Sequence, residues 1–258
     1  KFFKQDIGVY SAMEEIFMAQ RPEIAVHCAA SAREGASFYS PYEICRTNSL
    51  ISSVVLELGI KYQMKKLVYF SSMASYGAGR PPFDETAKKN PVDLYGDQKM
   101  MTERMIQMLA TAHKSFQWTI LLPHNVIGER QSLRDKFRNV AAIAMNRLMR
   151  GEPVYLYGPD SVRSFSYIND SLPAFLKACE LDIANGEKIN VGGMVPVKVR
   201  TLLETIVAQF PEARYPEIVE LPRRYGEVVE AFSTYEKSQR LLGYEEKIGW
   251  EEGVKRMS

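Results

Sequence analysis

The chain has 258 residues, 46% of them hydrophobic, and carries 33 Lys and Arg against 31 Asp and Glu for a net charge of +2. That is enough apolar material for one large domain, or one with a smaller partner, and too even a charge to hold nucleic acid or an anionic membrane in bulk. Three isolated cysteines, Cys28, Cys45 and Cys179, form no C-x-x-C pair, which excludes a disulfide framework and a thiolate metal site. They read as small buried hydrophobes, no metal is expected, and neither a long apolar run nor a leader peptide is visible. The expected location is the cytoplasm.

The segment Lys1-Phe-Phe-Lys-Gln-Asp-Ile7 reads as a strand, so the chain is expected to begin in mid-fold. Ile24-Ala-Val-His-Cys-Ala29 is a short buried strand, with His27 packed near its end. Residues 48–62 carry Leu50, Ile51, Val54, Val55, Leu58 and Ile60 at helical spacing. Lys66-Leu-Val-Tyr-Phe-Ser71 is the next strand, and a loop rich in Gly and Pro spans 77–91. A long helix is predicted over 94–113, then a strand over 118–122 stopped by Pro123. Strand and helix alternate at the spacing of parallel βαβ units, which predicts a doubly wound α/β sheet. The second half is more irregular, with helices over 137–151, 169–181, 199–210 and 235–242 and strands over 154–157 and 189–193. It reads as a smaller α/β lobe over the first. The expected division is 1–128 and 129–258, with about 163–193 returning to the first domain.

Ligands of such sheets bind beyond the carboxyl ends of the strands, which directs attention to Ala30-Ser31, Ser71-Ser72 and His124-Asn125. The sharpest feature is Tyr95-Gly-Asp-Gln-Lys99, which puts a phenol and an ammonium on one helix face. A phenol titrates near 10, so acting as a base at pH 7 needs a shift of about 3 units, roughly 4 kcal/mol. A cation about 4 Å away at an effective dielectric of about 20 supplies that much. Ser72, at the end of the 66–71 strand, offers a hydroxyl that can bridge such a base to a substrate oxygen.

Six segments in order carry a wider resemblance. They are Ser71-Ser-Met-Ala-Ser-Tyr-Gly77 with Pro82-Phe-Asp-Glu85, Pro91-Val-Asp-Leu-Tyr-Gly-Asp-Gln-Lys99, Pro123-His-Asn-Val-Ile-Gly128, Arg163-Ser-Phe-Ser-Tyr-Ile-Asn-Asp170, Ile189-Asn-Val-Gly-Gly193 and Arg224-Tyr-Gly-Glu227. Together they resemble the nucleotide-sugar epimerase and dehydratase family, the extended short-chain dehydrogenases. The resemblance implies a Rossmann-like fold with NAD as cofactor and a nucleotide sugar, most often a UDP-sugar, as substrate. It implies Ser72, Tyr95 and Lys99 as the catalytic set, with oxidised nicotinamide adding to the downward pull on Tyr95. Asp6 and Ile7 match the pair that touches adenine, and Ala29 and Ala30 the loop beneath the cofactor. Asn48 and Ser71 are placed near the cofactor, and Pro123 beside the nicotinamide. Asn125 and Asn139 match contacts to the sugar diphosphate, Tyr155 sits by the base, and Arg163 and Arg224 match two diphosphate clamps. Planar, permanently charged guanidinium groups suit that task.

The family opens with a strand and a G-x-x-G-x-x-G turn that holds the NAD pyrophosphate. No such turn precedes Asp6, so roughly 60 residues are expected to be missing ahead of this N-terminally truncated chain. A homodimer through the 50–62 and 94–113 helices is also implied.

Dehydratases of the family follow the catalytic hydroxyl with carboxylates, whereas here Met73 and Ala74 follow Ser72. The family's C3,C5-epimerising members use a cysteine near the sugar, and none of the three falls there. The expected reaction is therefore C4 epimerisation through a 4-keto sugar. Ala231 stands where a bulky residue narrows the C2 pocket, so an N-acetyl group is expected to be tolerated. The alternatives are a dehydratase or reductase with the same residues, or a non-catalytic nucleotide-binding scaffold.

Overall fold

The computed structural model describes residues 1–135 and 139–258. Helix α1 (Tyr10–Gln20) leads into strand β1 (Ile24–His27), two helical turns α2 (Glu34–Ser37) and α3 (Pro41–Ile44), a π-helical turn at Cys45–Leu50, and α4 (Ile51–Lys61). Strand β2 (Lys66–Phe70), helix α5 (Leu94–Ala112), β3 (Gln117–Pro123) and β4 (Val126–Ile127) follow. The second half contains α6 (Val140–Met149), β5 (Val154–Tyr157), β6 (Val162–Ser164), β7 (Ser166–Tyr167), α7 (Ile168–Glu180), β8 (Glu187–Val191) and β9 (Pro196–Lys198). It ends with α8 (Val199–Ala208), β10 (Ile218–Leu221), β11 (Glu230–Ala231), α9 (Glu236–Leu242) and α10 (Gly249–Met257).

The main sheet runs β1-β2-β3-β8 with every neighbouring pair parallel. Leu67 and Tyr69 of β2 pack on one side against Phe17, Val54, Leu58 and Ile106 of α1, α4 and α5. Val68 of the same strand and Leu121 of β3 pack on the other against Ala174 and Phe175 of α7 and Leu242 of α9. A strand covered on both faces needs apolar residues at every position, which is why β2 and β3 read as unbroken apolar runs. This is the doubly wound α/β arrangement.

A separate core joins Met145 of α6, Leu156 of β5, Leu203 of α8 and Trp250 and Val254 of α10. Asp170, in the first turn of α7, reaches into this half and accepts backbone N–H bonds from Lys247, Ile248 and Gly249. One carboxylate thereby satisfies several of the unpaired amides at the start of α10. The last residue of the Arg163–Asp170 motif is thus a structural brace.

Several expectations need correction. Residues 1–7 form no strand. They pair with no neighbouring strand among the described residues, and a lone extended segment gains nothing to offset its lost entropy. Asp6 instead closes a turn on Gly8 N–H at 2.8 Å. The 48–62 helix is α-helical only from Ile51, because a π-helical turn precedes it. The start predicted for the 137–151 helix lies outside the described residues, and the helix is seen from Val140. Cys28 and Cys45 are exposed rather than buried, Cys28 lying just beyond the end of β1 and Cys45 on the outer side of the π turn. Helices α1 and α10 were not expected. Among the described residues, no helix is long and apolar enough to cross a membrane.

Two histidines are held neutral in the core. His27 lies 3.0 Å from Ser52 Oγ, and burial, aided by the Lys99 charge, lowers its pKa to about 4. His124 bridges Ser233 Oγ and Tyr235 Oη at 3.1 Å each, and burial lowers it to about 3. Below the unfolded value of about 6.5 the unfolded chain takes up protons that the fold refuses, so stability falls as pH drops. At pH 4.5 the two residues together are expected to remove about 5 kcal/mol. Urea denaturation at pH 7 and pH 4.5 checks this, and coincident midpoints would refute it.

Candidate active site

The site forms where β2 ends. Ser72 leaves the strand in extended conformation and caps a short 3-10 turn, its Oγ accepting from Ala74 N–H at 3.1 Å. Helix α5 starts beside this turn, capped by Asp93, whose carboxylate accepts from Gly96 N–H at 2.8 Å. The approach is close, for a Cβ on Gly96 would lie 2.4 Å from Ala74 O. Only a glycine lets α5 pack on the turn that carries Ser72. The neighbouring residue, Tyr95, is thereby brought near enough to Ser72 for that hydroxyl to pull the phenol pKa down.

Tyr95 is 6% exposed and Lys99, one helical turn on, 3%. The Lys99 ammonium donates to Phe70 O at 2.7 Å and sits 5.8 Å from the centre of the Tyr95 ring. Burial lowers its pKa to about 8, opposed by Cys28 and Glu103. Burial also pushes the Tyr95 phenol well above its ordinary value, Ser72 pulls it down, and Glu34 and Asp93 push it further up. The protein alone therefore does not produce the downward shift that the Tyr-Lys spacing predicts, because the ammonium is turned to a backbone carbonyl and burial outweighs it. An ammonium has three N–H donors, and Phe70 O is the one hydrogen-bond partner of Lys99 among the described residues. The remaining donors fit the hydroxyls of a cofactor ribose.

A cleft of about 230 Å³ opens from Ser72 towards the second core. Pro123, Asn125, Asn139, Tyr155, Arg163 and Arg224 line it, all of them expected, together with Ala231. Asn125 holds a backbone of φ +31° and donates to Ser164 O at 2.9 Å. Asn139 caps α6 and donates to Val126 O at 3.1 Å. Arg163 donates to the carbonyls of Val162, Val228 and Val229 at 2.8–2.9 Å. Arg224 lies over the Tyr157 ring, 4.3 Å from its centre, and pairs with Glu227. The Arg147 guanidinium covers Tyr155 in the same way at 4.2 Å.

The other expected cofactor residues lie outside the lining of this cleft. Asp6 is half exposed and pairs with Arg46 at 3.2 Å, and Ile7 packs on the α1–α4 core. Ala29 and Ala30 follow β1 and are partly buried. Asn48 is buried and clasps the loop after β1, accepting from Ser31 N–H at 2.7 Å and donating to Ser31 O at 3.3 Å. Ser71 turns inward and donates to the Glu103 carboxylate.

Glu34, Asp93, Tyr157 and Glu227 also line the cleft and were missed. Glu34 follows the carboxyl end of β1, four residues past Ala30, and is the kind of strand-end position where ligands of such sheets bind. At the mouth, Phe38 and Tyr225 meet edge to face with ring centres 5.2 Å apart. Gly226, at φ +78°, leaves room for the Phe38 ring, which a Cβ there would approach to 2.9 Å.

Comparison with known proteins fits this geometry. The UDP-glucose 4-epimerase of Thermotoga maritima, solved with UDP-glucose, is 32% identical with a TM-score of 0.89, the alignment covering 99% of this chain and 82% of that one. The UDP-glucose 4-epimerase of Thermus thermophilus, solved with NAD, is 26% identical with a TM-score of 0.90, covering 99% and 83%. A dTDP-D-glucose 4,6-dehydratase of Bos taurus is 24% identical over 265 residues, 99% of this chain and 72% of that protein. The model of the NAD dependent epimerase/dehydratase family matches residues 1–192. The chain belongs to that family, whose members use NAD.

Proposed function

We propose that this chain is a nucleotide-sugar 4-epimerase acting on a UDP-hexose or UDP-N-acetylhexosamine. One observation carries the reading: a single cleft joins Ser72, at its Tyr95 end, to Arg163 and Arg224, and the turn after Ser72 offers Met73 and Ala74 rather than carboxylates. NAD would lie with its adenine by Asp6 and Ile7, its ribose by Tyr95 and Lys99 and its nicotinamide by Pro123. When bound, it supplies the hydride acceptor and donor. Tyr95 takes the proton of the sugar 4-hydroxyl, with Ser72 bridging. Arg163 and Arg224 keep the diphosphate while the 4-keto sugar turns over, and Tyr95 returns the proton to the C4 oxygen. Strong diphosphate binding with loose sugar binding is what such a turnover requires. A homodimer is proposed through α4 and α5, the latter leaving Met101 and Met108 exposed. A strictly monomeric mass in solution would remove that part.

Incubation with NAD⁺ and UDP-glucose or UDP-N-acetylglucosamine, followed by proton NMR, tests the reaction. The expected result is inversion at C4 without net NADH. Accumulation of a keto-deoxy sugar would favour a dehydratase, with Glu34 or Asp93 as the cleft carboxyls, and net NADH turnover would favour a reductase. Ala231, 8% exposed on β11, lines the same cleft. Replacing it with Tyr is expected to cut turnover of the N-acetylated sugar by about 100-fold, the scale of one steric mismatch in a pocket, and to spare the plain hexose. Equal loss on both substrates would dismiss this placement of C2.

A further inference from the structure

Glu34 has no part in the chemistry described above. Its side chain lines the cleft with Ser72 and Asp93 on one side and Arg163, Arg224 and Glu227 on the other. Among the described residues its carboxyl accepts no hydrogen bond and forms no ion pair, in contrast to Asp93, which caps α5, and Glu227, which pairs with Arg224. Its charge is felt by Tyr95 at the reacting end, and it feels Arg163 and Arg224 at the diphosphate end. Although the residue is exposed to solvent, the cleft walls around its carboxyl, and then the neighbouring Asp93, push its pKa upward, Arg163 and Arg224 opposing and Glu227 adding to the rise. Exposed in the cleft and without a protein partner among the described residues, the carboxyl has its acceptor oxygens available to a ligand that enters.

Resting on the 4-epimerase reading, we infer that Glu34 is a specificity-determining residue. It accepts a hydrogen bond from a hydroxyl of a neutral sugar and turns away sugars that carry a carboxylate. Two carboxylates facing each other in a cleft repel, and such a repulsive element can discriminate as an added attraction does. The guanidinium groups do not rescue a uronate, because Arg163 is bonded to three backbone carbonyls and Arg224 to Glu227, and both remain beside the diphosphate.

Titration of the wild-type protein and of Glu34→Gln with UDP, UDP-glucose and UDP-glucuronate at pH 8.5 tests the inference. The wild type is expected to bind UDP-glucuronate at least about tenfold more weakly than UDP-glucose. In Glu34→Gln, which keeps size and hydrogen-bonding capacity but loses the charge, the gap is expected to shrink below about threefold by tighter binding of UDP-glucuronate. Equal affinity for UDP in both proteins reports an intact fold. An unchanged gap in the variant, or no gap in the wild type, overturns the role of Glu34 and leaves the epimerase reading standing. Failure of all three ligands to bind overturns the nucleotide-sugar reading itself, and this inference with it.

Discussion

Tyr95→Phe is expected to lower kcat by at least about 1,000-fold while changing the affinity for UDP less than about threefold. General acid–base catalysis by one positioned group contributes about 100- to 10,000-fold, and the phenol stands beside Gly96, which packs on the turn that carries Ser72. The substitution removes one oxygen from a ring that is 6% exposed, so the packing of the first turn of α5 survives. The pH profile adds a second readout. Because burial raises the phenol, the population of the base grows with pH, and kcat/KM should climb from pH 6 until Lys99 loses its proton at about 8. Any residual rate in the Phe variant should lack that climb. A variant retaining more than a tenth of wild-type kcat would remove Tyr95 from its assigned role.

Glu103→Ala is expected to be the most damaging single change to stability. Glu103 is 1% exposed and receives three partners: the Ser71 hydroxyl, the Lys89 ammonium, 2.6 Å from its Oε1, and the Lys188 ammonium at 3.8 Å. Burial already lowers the pKa of Lys89, and Glu103 is the main force opposing that. Removing the carboxylate leaves a buried ammonium unpaired, which costs about 3–5 kcal/mol. For a chain of this size that corresponds to a fall in Tm of about 10 °C. Thermal unfolding followed by circular dichroism measures it. The double variant Glu103→Ala, Lys89→Met should recover a large part of the loss, since an apolar side chain then fills the space without an unmatched charge. A fall of less than about 3 °C in the single variant would show that water already reaches Lys89.

The elements legible in the sequence are those with a strong local pattern. Strands β2 and β3 are covered on both faces, and α5 is long and capped by Asp93. Ser72, Tyr95 and Lys99 could be brought together on paper because one helical turn separates the last two and a strand end exposes the first. What joins them, the close packing of Gly96 on the Ala74 carbonyl, is a contact between segments 22 residues apart and leaves no mark on either. Strands β6, β7, β9 and β11 are two or three residues long, too short for alternation to register. The cleft wall was half legible for the same reason. Arg163 and Arg224 stand in recognisable motifs, whereas Glu34 faces the cleft only because the loop after β1 is folded there, clasped by Asn48. Residues 1–7 show the opposite failure, since an apolar run makes a strand only where another strand receives it.

The aromatic pair at the cleft mouth bears on kinetics. An edge-to-face contact such as Phe38 with Tyr225 adds only about 1 kcal/mol beyond the area it covers, and Tyr225 stands 87% exposed. A contact that weak would neither trap a guest nor slow its entry. Residence time in the cleft would then be set by the grip at the guanidinium end. Neutral sugars that differ only in ring configuration should leave at similar rates, and a larger ring at position 38 should slow product release before it alters equilibrium selectivity.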